Sequence, residues 1–398
     1  MMKIYDIFKF THLIGAIVFT LSVGIFYGLF ISITPDLNTH VGQIVKINSN
    51  EISYPPNFLY YFLVNLFSGF SKNLEILSTV AIFLLSGAVT AKYIITIKML
   101  EEFSGVNTNN INKKLITLFA FILVFSFAIP DFYNLFFLKN LYLGRIVPNV
   151  WHNSTTIFLF PFALMLFWKQ FNLIKSASTP SFKDIVALSL LVVLNALIKP
   201  SFLFVLIPVT SIWIILKYEL KNFKKILIVF LPLVIGVLVI GILSLAIYVF
   251  QAGSFQEESS SIFLSGFFEG LGQWIPAWYI PISLVMSYIL PLFVLLIFKR
   301  KLLEYKPFLF ALFLTLTGLM ISALFMESGP RSSHGNFMWQ NVICCYLLLL
   351  TTMSFLIAKW DKIKRNSKTL IGIKILILGH FLAGIIYLIK IFYTGSFH

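Results

Sequence analysis

Eleven apolar segments alternate with short polar ones along this chain of 398 residues. A helix needs about 20 residues to cross the hydrocarbon core of a bilayer, so the pattern predicts an all-α fold, a polytopic membrane helix bundle with about 11 transmembrane helices. The third to sixth segments are shorter, which predicts thinned crossings or broken helices that line a cavity. We expect a single integral-membrane domain over 1–398. The segments are 11–33, 74–97, 115–130, 154–168, 185–198, 201–216, 226–250, 278–298, 307–326, 337–358 and 369–393.

The composition supports a membrane protein. Hydrophobic residues make up 59% of the chain and charged residues only 11%, and the mean hydropathy is +0.93. Soluble domains usually carry about 25% charged residues. A chain this apolar has too few polar groups to cover a folded surface in water, which excludes an ordinary soluble protein.

The charge is uneven between the two sides of the predicted membrane. The net charge is +15, with 30 Lys and Arg against 15 Asp and Glu. With the N-terminus in the cytoplasm, 23 of the basic residues count as inner, among them the four from Lys92 to Lys114. This bias matches the positive-inside rule and argues against nucleic acid as a partner. The short loops and the absence of sorting signals favour the plasma membrane of a bacterium.

The first outer loop, 34–73, opens with a candidate catalytic acid. Asp36 follows the first apolar segment at the water boundary. A carboxylate held against an apolar wall tends to have a raised pKa and can act as a general base. The alternative is that Asp36 only caps or ends a helix after Pro35. His40 and Glu51 follow in this loop as candidate substrate-binding residues.

The same loop continues into a short apolar stretch. After Tyr54-Pro55-Pro56, residues 57–70 are almost wholly apolar and aromatic, but too few to span a bilayer. This pattern predicts an outward-facing helix that lies in the membrane interface, with Tyr60 and Tyr61 at the level of the headgroups.

A first span, an outer loop with an acidic residue at its start, a Tyr-Pro-Pro turn and an interfacial helix together resemble the GT-C class of integral-membrane glycosyltransferases, similar to the mannosyl- and arabinosyltransferase type. The resemblance covers about the first 100 residues and the overall topology. It implies a polyprenyl-phosphate-linked sugar as donor and Asp36 as catalytic base, with Glu51 as an alternative base. Metal-using members of this class have a second acidic residue directly beside the first, and Asp36 has none. We therefore expect no cofactor and find no support for a divalent metal.

Two further outer segments carry candidate ligands for a phosphate group. Arg145, His152 and Asn153 belong to the outer loop 131–153, and Arg and His at a lipid boundary can bind phosphate. A Trp-His pair at an interface without a catalytic role is the alternative. Lys199-Pro200 separates two short apolar segments, and a lysine at the membrane edge is a functional candidate. A lysine that extends to water from a simple turn is equally compatible with the sequence.

The last outer segment, 327–336, has the highest density of polar groups between two apolar segments. Arg331 and His334 suit phosphate oxygens, Glu327 can orient Arg331, and Asn336 completes the set. The alternative is a solvated hairpin. In the outer loop 251–277, Trp274 or Trp278 could stack on an acceptor sugar, although a disordered loop fits its composition as well.

These outer loops together predict one site at the outer membrane face. The expected reaction transfers a sugar from a polyprenyl-phosphate donor to a glycan or lipid acceptor, with inversion at the anomeric carbon and with membrane lipids around the site. The main alternative is a multispan transporter or flippase, which predicts internal repeats and paired charges at mid-membrane. A polysaccharide polymerase, an O-acyltransferase with a buried histidine such as His380, and a structural or receptor protein stay open.

Overall fold

The computed structural model of the protein describes residues 2–32, 36–105, 110–176, 180–218, 223–250, 252, 261–329 and 335–397. Within these ranges the chain forms helices and one antiparallel ribbon of two short strands. The helices are α1 (Met2–Ser32), α2 (Asp36–Asn48), α3 (Leu59–Phe67), α4 (Leu74–Ser104), α5 (Asn110–Phe125), α6 (Ser154–Lys175), α7 (Phe182–Ile198), α8 (Leu203–Tyr218), α9 (Phe223–Ser244), α10 (Glu269–Gly272), α11 (Ile280–Ser287), α12 (Ile289–Phe298), α13 (Arg300–Leu303), α14 (Lys306–Leu324), α15 (Trp339–Ala358), α16 (Trp360–Lys364) and α17 (Ser367–Thr394).

Four single turns of other helix types have both ends within the described ranges. They are π-helical turns at Asn134–Leu138 and Leu245–Val249 and 3₁₀ turns at Pro200–Phe202 and Ala277–Tyr279. The strands β1 (Ile262–Leu264) and β2 (Phe325–Glu327) pair with Ile262 opposite Glu327.

Eight helical segments in the described parts of the chain are long and apolar enough to cross a membrane. A ninth is added if Ala277–Ser287 and Ile289–Phe298, which meet at 66°, form one broken span. The chain is therefore a multi-pass helical membrane protein, as the hydrophobic pattern predicts. Because α5 and α7 have only 16 and 17 residues, a total of eleven crossings stays a prediction.

The predicted shortness of the fourth apolar segment is wrong. Helix α6 runs on through Lys169 to Lys175 and reaches 22 residues. Hydrophobicity ended this segment too early, because Lys and Gln are good helix formers and continue a helix into the polar boundary. The sixth segment is short, as predicted: α8 has 16 residues, and the span Pro200–Lys217, which includes the 3₁₀ turn, has 18. Helix α4 likewise extends beyond 97 and ends at Gly105, whose φ of 62° is the left-handed conformation that suits glycine.

Lys92 counts among the inner basic residues in the sequence, but it lies within α4 and is buried. Its Nζ donates a hydrogen bond to Asn149 Oδ1 at 2.5 Å and lies 3.3 Å from the ring centre of Phe160 and 4.0 Å from that of Tyr346. The positive-inside bias therefore rests on one residue fewer than the sequence suggested.

Helix α15 is the centre of the bundle. Every residue from Gln340 to Ile357 is buried, and α15 packs against α4, α5, α6, α12 and α14. The crossing with α14 is close, since a Cβ atom at Gly318 would lie 2.5 Å from Asn341 Oδ1. Small residues at such crossings allow two helix backbones to approach.

The backbone is no longer helical just after α5, and α17 packs against this irregular segment. Phe127 N donates to the carbonyl of His380 at 2.9 Å, and His380 Nδ1 donates to the carbonyl of Phe127 at 2.7 Å. These bonds supply partners to backbone groups that have left the helix, as irregular backbone at membrane depth requires. The buried histidine that an acyltransferase would need thus has a structural role here.

Gly384 of α17 should tolerate no side chain. A Cβ atom there would lie 1.7 Å from the backbone oxygen of Phe125, which cannot move aside without shifting α5. We expect Gly384→Ala to lower stability by about 1–3 kcal/mol, as overpacking does. Gly87→Ala in α4, where the new Cβ meets nothing within 4 Å, should be neutral or stabilising. Thermal unfolding in detergent measures both, and equal melting temperatures would contradict the close crossing.

Candidate functional site

The first outer loop contains a helix that the sequence analysis missed. Helix α2 begins at Asp36, and Leu37, Val41 and Ile44 form its buried face. Their spacing of four and three residues is the helical period, so the signal was present. Helix α3 falls inside the predicted 57–70 stretch, and its position in the membrane interface stays a prediction.

Asp36, His40 and Tyr61 form a chain of hydrogen bonds. His40 Nε2 is hydrogen-bonded to Asp36 Oδ2 at 3.1 Å, and His40 Nδ1 is hydrogen-bonded to Tyr61 OH at 2.7 Å. With Oδ2 engaged, Asp36 Oδ1 has no hydrogen-bond partner among the described residues. Asp36 is also in the first turn of α2, where the helix dipole favours a negative charge. The carboxylate is therefore held in place with one oxygen left for a ligand.

The expectation of a raised pKa at Asp36 is wrong. Burial alone would raise the pKa of this carboxyl group, but the charge and hydrogen bond of His40 outweigh it, and Lys199 and His152 add to their effect. The net result is a pKa below the usual value. Asp36 is thus ionised at neutral pH, and its charge in turn contributes to raising the pKa of Tyr61.

Lys199 lies at the junction between α7 and the turn Pro200–Phe202 and is buried. Its Nζ donates to Asn153 Oδ1 at 3.0 Å and to Thr155 Oγ1 at 3.4 Å. It also lies 4.4 Å from the ring centre of Trp339, at the start of α15. Proline after Lys199 ends α7 and turns the chain, so the ammonium group is held inside the protein instead of extending to water.

Asn153 has two roles with one oxygen. Its Oδ1 accepts from Lys199 and, at 2.9 Å, from the backbone N of Thr156, which caps the first turn of α6. Asn153 is therefore a hydrogen-bond partner of Lys199 in this structure. Asn153-Ser154-Thr155 matches the sequence of a glycosylation acceptor, but here Asn153 caps helix α6.

Burial lowers the pKa of Lys199 to about 7, and the negative charges of Asp36 and Glu327 oppose that shift. These mutual effects show that Asp36, Lys199 and Glu327 lie within electrostatic range of one another. They come from three outer segments that are far apart in sequence. The structure thus brings together the acid and the lysine that the sequence analysis selected.

His152 connects this charged group to a neighbouring cavity. Its ring lies 4.8 Å from the ring of Tyr142, 4.6 Å from that of Phe397 and 5.9 Å from that of Trp339. The cavity measures about 250 Å³. It is lined by Tyr142, Leu143, Gly144, Arg145, Ile146, Val147, His152, Trp274, Gly335, Met338, Trp339, Asn341, Val342 and Phe397, and we call it the aromatic pocket.

Arg145 is buried in the wall of the aromatic pocket. Its guanidinium group donates to the carbonyls of Ala128 and Ile129, at the break after α5. Burial lowers its pKa to about 10, with Tyr279 and Asp131 acting in the opposite direction. Arg145 therefore keeps its positive charge at neutral pH.

Glu327 ties several outer segments together. Its carboxylate accepts from Tyr248 OH at 2.6 Å and from Asn336 Nδ2 at 2.5 Å, and its backbone belongs to β2, paired with Ile262 of β1. The ribbon was not predicted, because three-residue strands leave no alternation to detect. Arg331 and His334 lie outside the described residues, so the proposed pairing of Glu327 with Arg331 stays a prediction.

Glu51 lies apart from the rest of the candidate site. It is exposed beyond the C-terminal end of α2, in a shallow depression of about 690 Å³ shared with Asn48 and Asn65. Its charge is not among those that act on Asp36 or Lys199. A flexible loop would allow Glu51 to approach Asp36. In the structure, helix α2 keeps the two residues apart, because Asp36 begins the helix and Glu51 lies beyond its other end.

No group of three or more His, Cys, Asp and Glu side chains in the described part of the chain could hold a metal ion. Asp36 is bonded to His40, and Glu327 accepts from Tyr248 and Asn336.

Searches for similar proteins returned no family model, no curated protein and no solved structure that matches this chain.

Lys199 should make stability depend on pH. Its pKa is about 7 when folded and 10.5 when exposed, so between these values the unfolded chain binds more protons and stability rises with pH. Lys199→Met removes that dependence. We expect the melting temperature of wild type minus that of the variant to increase from about pH 6 to about pH 9. The control is Lys46→Met, which replaces an exposed lysine. Its difference in melting temperature from wild type should not change with pH. A difference for Lys199→Met that also did not change with pH would contradict the lowered pKa.

Proposed function

We propose that this protein is a GT-C-type glycosyltransferase that transfers a sugar from a polyprenyl-phosphate donor to a glycan or lipid acceptor at the outer face of a bacterial plasma membrane. The observation that carries the proposal is the placement of an ionised Asp36 and a buried Lys199 within electrostatic range of each other at one end of a membrane bundle. Such a transfer needs a base for the acceptor and a cation for the leaving phosphate.

Asp36 is suited to receive the acceptor proton. The acceptor oxygen forms a bond to the anomeric carbon, its proton passes to Asp36 Oδ1, and His40 holds the other carboxylate oxygen. A carboxylate with a lowered pKa is a weak base, so the proton moves late, after the glycosidic bond has begun to break. Before that, its negative charge stabilises the positive charge that develops on the sugar ring.

Lys199 is suited to stabilise the leaving group. The bond between the anomeric carbon and the phosphate oxygen breaks, its electron pair stays with the phosphate, and the ammonium group offsets the growing negative charge. Because Lys199 is buried, this interaction is screened less than it would be in water. Asn153 and Thr155 fix the ammonium group before the donor arrives. Attack opposite the leaving group inverts the anomeric centre.

The distribution of charge favours the enzyme over a transporter. A transporter would place paired charges near the middle of the membrane. Lys92 is buried within α4, but among the described residues its partners are the neutral amide of Asn149 and two aromatic rings, with no carboxylate in ion-pair distance. The interacting charges instead gather at the end where α1 and α7 finish and α6 and α15 begin.

Replacing Asp36 should reduce transfer strongly without loss of the fold. We expect Asp36→Asn, which keeps the size of the side chain, to lower kcat by about 10²–10⁴-fold, the usual contribution of a general base. Turnover of a panel of polyprenyl-phosphate sugars by the reconstituted protein measures this. Glu51→Gln should keep wild-type turnover; loss of activity in Glu51→Gln with retention in Asp36→Asn would transfer the role of base to Glu51.

The pH profile should report Lys199. Only the ammonium form binds the phosphate, so kcat/KM should fall about tenfold per pH unit above the pKa of about 7. Lys199→Arg keeps the charge at alkaline pH, because guanidinium does not deprotonate there. We expect the variant to be less active at pH 7 but to lack the alkaline decline. The same decline in both proteins would rule out Lys199 as its source.

A further inference from the structure

The aromatic pocket has no role in the reaction described so far. Its volume of about 250 Å³ is below the ~300–1,000 Å³ usual for drug-sized ligands, so it fits one small ring and not an isoprenoid chain. Trp274, Trp339, Tyr142 and Phe397 line it. Flat aromatic faces pack against the C–H faces of a sugar ring, while indole N–H and phenol O–H groups can bond to hydroxyls.

Arg145 gives this pocket a positive charge that the protein does not neutralise directly. No carboxylate of the described residues lies within ion-pair distance of its guanidinium, which bonds to two backbone carbonyls, and its Nε has no hydrogen-bond partner there. Asp131, whose charge acts on Arg145, already accepts bonds from Tyr279 OH and from the backbone N of Tyr133. A buried cation without a paired anion is unfavourable, so an anion in the pocket would offset that cost.

The pocket is also next to the proposed base. His152 lies in its wall and is close enough to Asp36 for its charge to act on that carboxylate. Trp339 lies in the same wall, and Lys199 is over its ring. A sugar held in the pocket would therefore have the base on one side and the leaving-group lysine beyond Trp339.

We propose that the aromatic pocket binds an acidic monosaccharide unit of the acceptor, a uronic acid, with its ring against Trp274 and Trp339 and its carboxylate attracted by Arg145. This deepens the proposed function, on which it rests, by naming the class of acceptor. Lys199 serves the phosphate of the donor and Arg145 the carboxylate of the acceptor.

The test measures direct binding to the full-length protein in nanodiscs by saturation-transfer NMR. The four ligands are methyl glucuronide, methyl glucoside, inorganic phosphate and geranyl phosphate. We expect methyl glucuronide to bind at least about tenfold more tightly than methyl glucoside, the effect of one charge-assisted interaction. Trp274→Ala should weaken glucuronide binding at least about tenfold. Trp278→Ala is the matched control, since Trp278 is exposed and packs on Tyr133 outside the pocket.

Arg145→Gln should remove the preference for the charged sugar, and Arg145→Lys should keep part of it. Because Arg145 is buried and Arg145→Gln could unfold the protein, the Trp274 and Trp278 pair provides the independent result. Equal binding of glucuronide and glucoside would overturn the acidic class. Equal loss, or none, in the two tryptophan variants would overturn the location, and binding of geranyl phosphate or inorganic phosphate in place of glucuronide would make the pocket a donor phosphate site.

Binding and turnover separate the two proposals. Asp36→Asn should bind methyl glucuronide like wild type while transferring no sugar. Selective glucuronide binding without turnover of any polyprenyl-phosphate sugar by the wild type would refute the proposed reaction. Turnover onto neutral acceptors without glucuronide binding would refute the acidic acceptor alone.

Discussion

The attraction between Asp36 and Lys199 is the constraint on which the candidate site depends. Both groups are taken partly or wholly out of water, and each makes the charge of the other less costly. Removing one partner would leave the other charge with poorer compensation. The surrounding groups serve this pair: His40 and Tyr61 fix the carboxylate, and Asn153 and Thr155 fix the ammonium group.

The bundle makes this pair possible by bringing helix ends together. Asp36 opens α2, Asn153 caps α6, Lys199 follows α7 and Glu327 follows α14. At the opposite end, Trp168 of α6 bonds to Glu102 of α4, and Tyr305, before α14, bonds to the carbonyl of Phe103. Each end of the bundle thus has its own polar contacts.

The sequence predicted the class of fold and much of the site, because both depend on strong and local signals. Long apolar segments identify spanning helices, and few charges on one side made Asp36 and Lys199 conspicuous. It could not predict which neighbours act on them. The pKa of Asp36 depends on His40, one turn along a helix that was read as a loop, and on Lys199, far away in the chain. Nor could it predict that Lys92 is buried, because the partners of Lys92, Asn149 and Tyr346, come from distant segments.

The complete burial of α15 has a consequence for how the protein is made. A helix enclosed on all sides contacts lipid only before its neighbours arrive, and α15 carries polar groups at Gln340, Asn341 and Thr352 that are costly in hydrocarbon. Its neighbours supply acceptors for the two amides, since Gln340 donates to the carbonyl of Gly318 and Asn341 to Ser322 Oγ. Insertion of this helix and closure of the bundle are therefore coupled, and assembly in the bilayer must be a cooperative step instead of a stepwise addition of independent spans.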